Sequence, residues 1–194
     1  MKALAFSDLH RDLDQARRLV DRARDVDVVL CAGDLASVHR GLGEIVDVLS
    51  AIETPTLLVP GNNETADELR AACTGWSAAT VLHGQSAEVG GIDVFGLGGG
   101  VPVTPWDWSF DLAEDEAGSL LERCSEGAVL LVHSPPKGHV DNGLGSSAVL
   151  TAIETKRPQL VLCGHVHECW GLESHVGRSR ILNLGPAGTV LALG

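Results

Sequence analysis

The chain has 194 residues, of which 44% are hydrophobic and 21% are charged, and its formal net charge at pH 7 is −12. This composition is ordinary for a globular protein, and no apolar run approaches the length needed to span a membrane. With only three lysines (Lys2, Lys137 and Lys156), the surface repels phosphate backbones, so binding of long nucleic acid is not expected. A small phosphate ester remains compatible with this charge wherever a local cation reverses the field.

The length and the lack of repeats, low-complexity tracts or linkers predict a single domain over residues 1–194. The chain has five cysteines, an odd number with no Cys-x-x-Cys spacing: Cys31, Cys73, Cys124, Cys163 and Cys169. We interpret them as reduced and mostly buried thiols rather than as a disulfide or a zinc knot. No charged leader precedes an apolar stretch, which predicts a cytoplasmic location.

The first half of the chain alternates between short apolar runs and amphipathic segments. Strands are expected at 2–6, 27–32 and 56–59. Helices are expected from the spacing of the apolar residues at 13–23 and 42–52 and from the composition of 64–73. This βαβαβα order is typical of a parallel sheet with helical crossovers.

The second half begins with a different pattern. A Gly-Gly pair inside 87–97 predicts a hairpin, and a long loop follows at 98–111. Asp111 is expected to cap a helix, with Glu114 three residues later as in a capping box. The remaining expected elements are a strand at 128–132, a helix from 146 or 147 to before 158, a strand at 160–163 and antiparallel strands that turn at 177.

Side chains that can bind metal follow five of the expected strands. They are Asp8, His10, Asp34, Asn62, His133, His165 and His167. Any one of them alone is more readily explained as a helix cap. Their occurrence at five strand exits favours a ligand site, because ligands bind at the carboxyl ends of parallel strands.

Seven oxygen and imidazole ligands without cysteine suit two divalent metal ions of borderline hardness. We predict Mn²⁺, with Fe²⁺, Zn²⁺ or Ni²⁺ as alternatives. Two such ions about 3.5–4 Å apart clamp a phosphoryl group and make hydroxide available at neutral pH. They also outweigh the charge of two carboxylates, so the acidic chain and an anionic substrate become compatible.

Five short motifs in the chain, in this order, resemble those of the calcineurin-like metallophosphoesterases. They are Asp-Leu-His at 8–10, Gly-Asp at 33–34, Gly-Asn-Asn at 61–63, His133 and Gly-His-Val-His at 164–167. The resemblance covers nearly the whole chain and is strongest to small prokaryotic members. It implies an α/β fold, a four-layer αββα sandwich of two mixed sheets flanked by helices. It assigns Asp8, His10 and His167 to one metal and Asn62, His133 and His165 to another, bridged by Asp34 and a hydroxide.

The third motif departs from the family, which usually has histidine at the position of Asn63. In the family that histidine faces the phosphate and is thought to protonate the leaving group. Asn63 can position phosphate through a hydrogen bond, but its amide cannot deliver a proton at neutral pH. Glu64 either orients Asn63 or caps the helix at 64–73, and capping is the favoured interpretation.

Substrate contacts are also expected outside the metal ligands. Trp106 and Trp108 lie in the long loop, where they form either a binding lid or a hydrophobic plug. His139 is a weaker candidate for a substrate contact. His39 is expected on the surface at the start of a helix, or else at the border of the cleft.

Two functions are consistent with the sequence. The first is a metal-dependent phosphoesterase that acts on phosphodiesters or activated phosphomonoesters, with a small phosphorylated substrate, including a nucleotide. The second is a scaffold on the same fold that has lost catalysis and binds partners. All seven metal ligands are present, which favours the enzyme.

Overall fold

The computed structural model describes residues 1–194. Its eleven strands, numbered β1 to β11 in chain order, are Lys2–Phe6, Val28–Cys31, Thr56–Leu58, Ala79–Val81, Gln85–Val89, Ile92–Leu97, Val129–Val132, Leu160–Cys163, Glu173–Val176, Ser179–Asn183 and Thr189–Ala192. The five α-helices, α1 to α5, are Leu13–Ala23, Leu42–Leu49, Ala66–Ala72, Glu114–Leu121 and Ser147–Lys156. Short 3₁₀ helices cover Cys73–Gly75 and His167–Cys169. None of the helices is both long and apolar enough to cross a membrane.

The strands form two mixed sheets. The first has the order β11-β1-β2-β3-β4, in which only β11 is antiparallel to its neighbour. The second has the order β5-β6-β7-β8-β10-β9, with a parallel centre from β6 to β10 and antiparallel strands at both edges. The predicted parallel first half and the hairpin over Gly90 and Gly91 are therefore confirmed, whereas β4 was not predicted from the sequence.

Alternation of side chains along the central strands produces three apolar layers. Ala5 and Leu131 belong to the core between the two sheets. Phe6 packs with α1, α2 and α3 on the outer face of the first sheet, and Leu130 packs with α4 and α5 on the outer face of the second. The predicted four-layer αββα sandwich is confirmed, and all five cysteines are free and buried within it.

The expected cap of α4 is wrong. This helix begins at Glu114 after Ala113, which makes no side-chain cap. Asp111 instead accepts hydrogen bonds from within the preceding loop, namely from Thr104 and Ser109. Glu114 serves α5, because its carboxylate accepts bonds from the N-terminal residues of that helix, Ser146 to Ala148.

Candidate metal centre

All seven predicted metal ligands meet at one edge of the sandwich, where β1, β2, β3, β7 and β8 end. The contacts join distant parts of the chain. The backbone N–H of His165 donates to Asp8 Oδ1 at 3.1 Å, although 157 residues separate the two. The seven residues that come together are Asp8, His10, Asp34, Asn62, His133, His165 and His167.

One group of ligands is built around the exit of β1. The ligand atoms of Asp8, His10 and His167 lie within 4.8 Å of one another. His10 Nε2 is 3.0 Å from His167 Nε2 and 3.6 Å from Asp34 Oδ2. Two ring nitrogens that converge in this way leave room for at most one proton between them, which is the arrangement expected of chelating imidazoles.

A second group is built around the exits of β3, β7 and β8. Asn62 Oδ1 lies 3.2 Å from His133 Nε2 and 3.2 Å from His165 Nδ1. Asp34 Oδ1 is 3.6 Å from His133 Nε2, so the two oxygens of this carboxylate face histidines of different groups. Asp34 therefore lies between the two groups.

The buried carboxylates and a neutral imidazole of the site favour the binding of a cation. Asp8 and Asp34 are each 2% exposed, and histidines are their only ionic partners. Buried carboxylates of this kind need compensation by a positive charge. Burial, assisted by the nearby His133, lowers the pKa of His165 to about 3, so this imidazole is neutral and can coordinate metal at pH 7.

Main-chain contacts fix the orientation of two ligand rings. His133 Nδ1 lies 2.7 Å from the carbonyl oxygen of Ala32, and His10 Nδ1 lies 3.2 Å from that of Ala36. A carbonyl only accepts, so each Nδ1 carries a proton, and in the neutral ring the lone pair is on the Nε2 that faces the centre. Together with the absence of thiolates, this donor set fits a divalent metal ion of borderline hardness.

The loops that carry the ligands have a strained backbone. Asp8, Asp34 and His165 have φ values of 56°, 58° and 69°, a region that residues other than glycine seldom adopt. Gly61 permits the close approach of two loops, because a Cβ there would lie 1.9 Å from Asp34 Oδ1. Strain of this kind persists only where the surrounding structure enforces it, and it is common at functional sites.

Glu64 holds two of these strained loops in place. Its fully buried carboxylate accepts hydrogen bonds from the backbone N–H groups of Asp34 (2.8 Å), Leu35 (3.3 Å), Ala36 (2.9 Å) and Gly61 (2.8 Å). The favoured expectation that Glu64 caps a helix is wrong. That helix, α3, is capped by a capping box of Thr65 and Glu68. Glu64 instead joins the loop after β2 to the loop after β3.

Asn63 lines the cleft and also connects two loops. Its backbone N–H and its Nδ2 donate to the two carboxylate oxygens of Asp34 at 2.9 and 2.8 Å. Its Oδ1 and its carbonyl oxygen accept bonds from the N–H groups of Val38 and His39, which both have positive φ. Asn63 thus holds Asp34 and a strained turn in place, while its contact with phosphate stays a prediction.

Trp170 supports the first group of ligands and was not singled out from the sequence. Its Nε1–H donates to Asp8 Oδ2 at 3.1 Å, and its ring lies 4.4 Å from the ring of His167. The hydroxyl of Ser7 donates to the same Asp8 oxygen at 2.5 Å. The only sequence signal was the position of Trp170 three residues after His167.

The loop of residues 98–111, here called the Trp loop, is joined to the metal centre. Asn62 Nδ2 donates to Ser109 Oγ at 2.9 Å, and Ser109 Oγ donates to Asp111 Oδ1 at 2.6 Å. His39 adds a second connection, with Nε2 2.5 Å from the carbonyl oxygen of Trp108 and Nδ1 2.8 Å from Glu68 Oε2. The loop is therefore anchored at a candidate metal ligand and at α3.

The predicted substrate contacts differ in position. Trp106 and Trp108 line the cleft of about 380 Å³ that contains His10, Asp34 and other ligands. His139 is not among the residues that line this cleft, and its Nδ1 lies 2.7 Å from Ser174 Oγ. The structure therefore brings the two tryptophans, but not His139, to the metal centre.

Comparison with known families gives one match over nearly the entire chain. A family model described as the calcineurin-like phosphoesterase superfamily domain matches residues 1–192. Among curated proteins, UPF0046 protein T07D4.2 of Caenorhabditis elegans is 32% identical over 122 residues, which are 55% of this chain and 28% of that protein. The chain thus spans less than a third of this curated relative.

Solved structures share the fold at low sequence identity. TT1561 of Thermus thermophilus superposes with a TM-score of 0.76 at 22% identity, covering 96% of this chain and 90% of that one. A dimetal phosphatase from Danio rerio gives a TM-score of 0.68 at 13% identity, covering 96% and 88%. An archaeal phosphodiesterase gives 0.59 at 17% identity, covering 95% and 84%. At these identities the similarity establishes a common fold.

Proposed function

The chain belongs to the calcineurin-like phosphoesterase superfamily, and from that premise we propose that it hydrolyses phosphodiesters or activated phosphomonoesters at a centre of two divalent metal ions. The position of Asp34 carries this proposal. One of its oxygens is 3.6 Å from His10 and the other is 3.6 Å from His133, so a single carboxylate serves both groups of ligands.

The proposed ligand sets follow the two groups. Asp8, His10 and His167 would hold one ion, Asn62, His133 and His165 would hold the other, and Asp34 would be a ligand of both. Oxygen and imidazole ligands favour Mn²⁺, with Fe²⁺, Zn²⁺ or Ni²⁺ as alternatives. When bound, such ions lower the pKa of water towards neutrality and neutralise charge on the phosphoryl group.

The residues of the chain have three tasks in this reaction. Ala32 and Ala36 orient the His133 and His10 rings through their carbonyl groups, so that each Nε2 faces the centre. Glu64 holds the loops of Asp34 and Gly61 against each other. The proposed role of Asn63 is to donate a hydrogen bond to a phosphoryl oxygen from its Nδ2 group.

The preferred substrates follow from the chemistry of Asn63. An amide cannot give a proton to the departing oxygen, and general-acid help is worth about 10²–10⁴-fold in rate. Esters with acidic leaving groups need that help least. We therefore propose small diesters and activated monoesters, including nucleotides, as substrates. The cytoplasmic location stays a prediction.

The test combines metal content and turnover. Chain purified with Mn²⁺ should contain about two ions and should hydrolyse p-nitrophenyl phosphodiesters. Asp34→Asn should lower the content of both ions and abolish most turnover, because it weakens the shared ligand. His175→Ala is the matched control, since this histidine lies on β9 and is not one of the ligands.

Two outcomes would contradict the proposal. A folded chain that binds no metal would rule out the metal centre. A chain that binds about two ions but hydrolyses none of the mono- and diesters tested would favour the binding scaffold.

A further inference from the structure

The cleft beside the candidate metal centre has an apolar wall. The rings of Trp106 and Trp108 are nearly parallel, with an interplanar angle of 11° and a centroid separation of 5.6 Å. Trp106 is 50% exposed, and Leu144, which is 58% exposed, lines the same cleft from the loop before α5. Large apolar side chains exposed at a polar cleft are typical of ligand contacts.

The charges of the cleft restrict what this wall can bind. None of its lining residues is lysine or arginine, and two of them, Asp34 and Glu168, are acidic. A second phosphate of a substrate would therefore have no lysine or arginine in the cleft to neutralise its charge. A flat uncharged ring could pack against the tryptophans without an electrostatic penalty.

The wall is also fixed relative to the candidate metal centre. Asn62 contacts the Trp loop through Ser109 Oγ at 2.9 Å and through the N–H of Phe110, which donates to its carbonyl oxygen at 2.9 Å. His39 holds the carbonyl of Trp108 from the other side. Because the wall is already fixed to a metal ligand by these bonds, it loses little additional freedom when it binds a ring.

We propose that Trp106 and Trp108 form a stacking subsite for one substituent of the ester. The substrate class is then a phosphodiester with one flat, uncharged ring, either an aryl group or a nucleobase, and no second phosphate. This assignment rests on the proposed function, since the ring is positioned through the ester that the metal centre binds.

Binding of matched phosphonates to the Mn²⁺-loaded chain tests the subsite by calorimetry. Phenylphosphonate and methylphosphonate have the same anionic group and differ in the ring. Stacking of one ring on aromatic side chains corresponds to about 10-fold in affinity, so phenylphosphonate should bind about 10-fold more tightly. Trp106→Ala should remove most of this difference, and Trp106→Phe should restore much of it. Val103→Ala, in the same loop but outside the cleft lining, should leave the ratio unchanged.

The outcomes separate this proposal from the proposed function. Equal affinities for the two phosphonates, in a chain that still hydrolyses methyl p-nitrophenyl phosphate, would overturn the stacking subsite alone. A preference for phenylphosphonate that survives Trp106→Ala and Trp108→Ala would also overturn it. Failure of the Mn²⁺-loaded chain to bind either phosphonate would overturn the stacking subsite, and failure to hydrolyse methyl p-nitrophenyl phosphate as well would overturn both proposals.

Discussion

The candidate metal centre and the Trp loop border the same cleft but are held in different ways. Asp34 and His133 are almost completely buried and are fixed by hydrogen bonds to strand exits and to neighbouring loops. The Trp loop contains no helix or regular strand, and it is anchored by side chains such as Ser109 and His39 and by the main-chain bond from Phe110 to Asn62. Changes in the first region should affect metal binding and stability, whereas changes in the second should affect the choice of substrate.

Glu64→Gln should give the largest effect, because it weakens the joint between the two ligand loops. Hydrogen bonds to a charged group are worth about 1.5–3 kcal/mol. The amide nitrogen of glutamine cannot accept a hydrogen bond, so the backbone N–H groups that face it lose their acceptor. We expect the free energy of unfolding of the metal-free chain to fall by about 2–3 kcal/mol in urea denaturation. Loss of a residue that supports metal ligands should also weaken Mn²⁺ binding by about 10- to 100-fold.

The control for Glu64→Gln is Asp67→Asn, which changes an exposed carboxylate in the first turn of α3. Its stability and its metal affinity should stay close to those of the unmodified chain. A Glu64→Gln variant that matched this control would show that the ligand loops hold their geometry without Glu64.

The sequence predicts those site residues whose role follows from position along a strand. Asp8, Asp34 and His133 come directly after or within two or three residues of apolar strands, so the topology alone brings them to one edge. Glu64 and Trp170 could not be assigned in this way. Glu64 bonds to the N–H of Ala36, 28 residues away, and Trp170 bonds to Asp8, 162 residues away.

The two wrong capping predictions, for Asp111 and Glu64, have the same cause, namely hydrogen bonds to residues outside the helix that each was expected to cap. Asp111 has the spacing of a helix cap, yet its carboxylate is occupied by Thr104 and Ser109 of the Trp loop. Glu64 precedes a helix, but its carboxylate accepts hydrogen bonds from N–H groups of the packed loops and from none of the helix. Capping patterns describe only nearby residues, and here tertiary contacts compete for the same oxygen atoms.

Asn63→His should separate the positioning of Asp34 from proton donation. The imidazole would lose the paired contacts with Asp34 and Val38, so kcat/KM for a p-nitrophenyl diester should fall about 10-fold. If the ring reaches the leaving group, the slope of log kcat/KM against leaving-group pKa should become shallower, because general-acid catalysis assists poor leaving groups most.

Asn63→Ala provides the comparison for this measurement. It removes the same contacts without adding a proton donor, so its rates should fall while its slope stays that of the unmodified chain. Equal slopes for all three proteins would mean that position 63 takes no part in protonation of the leaving group.

The pH dependence of the Trp loop should be the smallest effect. The two nitrogens of His39 face a carbonyl and a carboxylate, so the arrangement requires the doubly protonated ring. The carbonyl of Trp108 and the side chain of Glu68 raise the pKa of His39, against an opposing effect of burial, and Glu64 adds a weaker negative field. A raised pKa gives stabilisation that is complete below the ordinary pKa near 6.5 and is lost as pH rises through the raised value.

Tryptophan fluorescence from pH 6 to 9 should therefore change as His39 loses its proton. His39→Gln should abolish the transition, and Glu68→Gln should move it to lower pH because the carboxylate that favours the charged ring is gone. A transition that persists unchanged in His39→Gln would assign it to another group.

The pairing of Asp8 with His165 has a consequence for the order of folding. The two residues are 157 positions apart and belong to different ligand groups, so the two groups cannot come together until β8 has paired beside β7 and reached β1 across the core. Contacts of such long sequence separation form late, because the chain must close a large loop before they add stability. Capture of metal should thus be among the last events of folding, and a pulse of Mn²⁺ during refolding would time completion of the native topology.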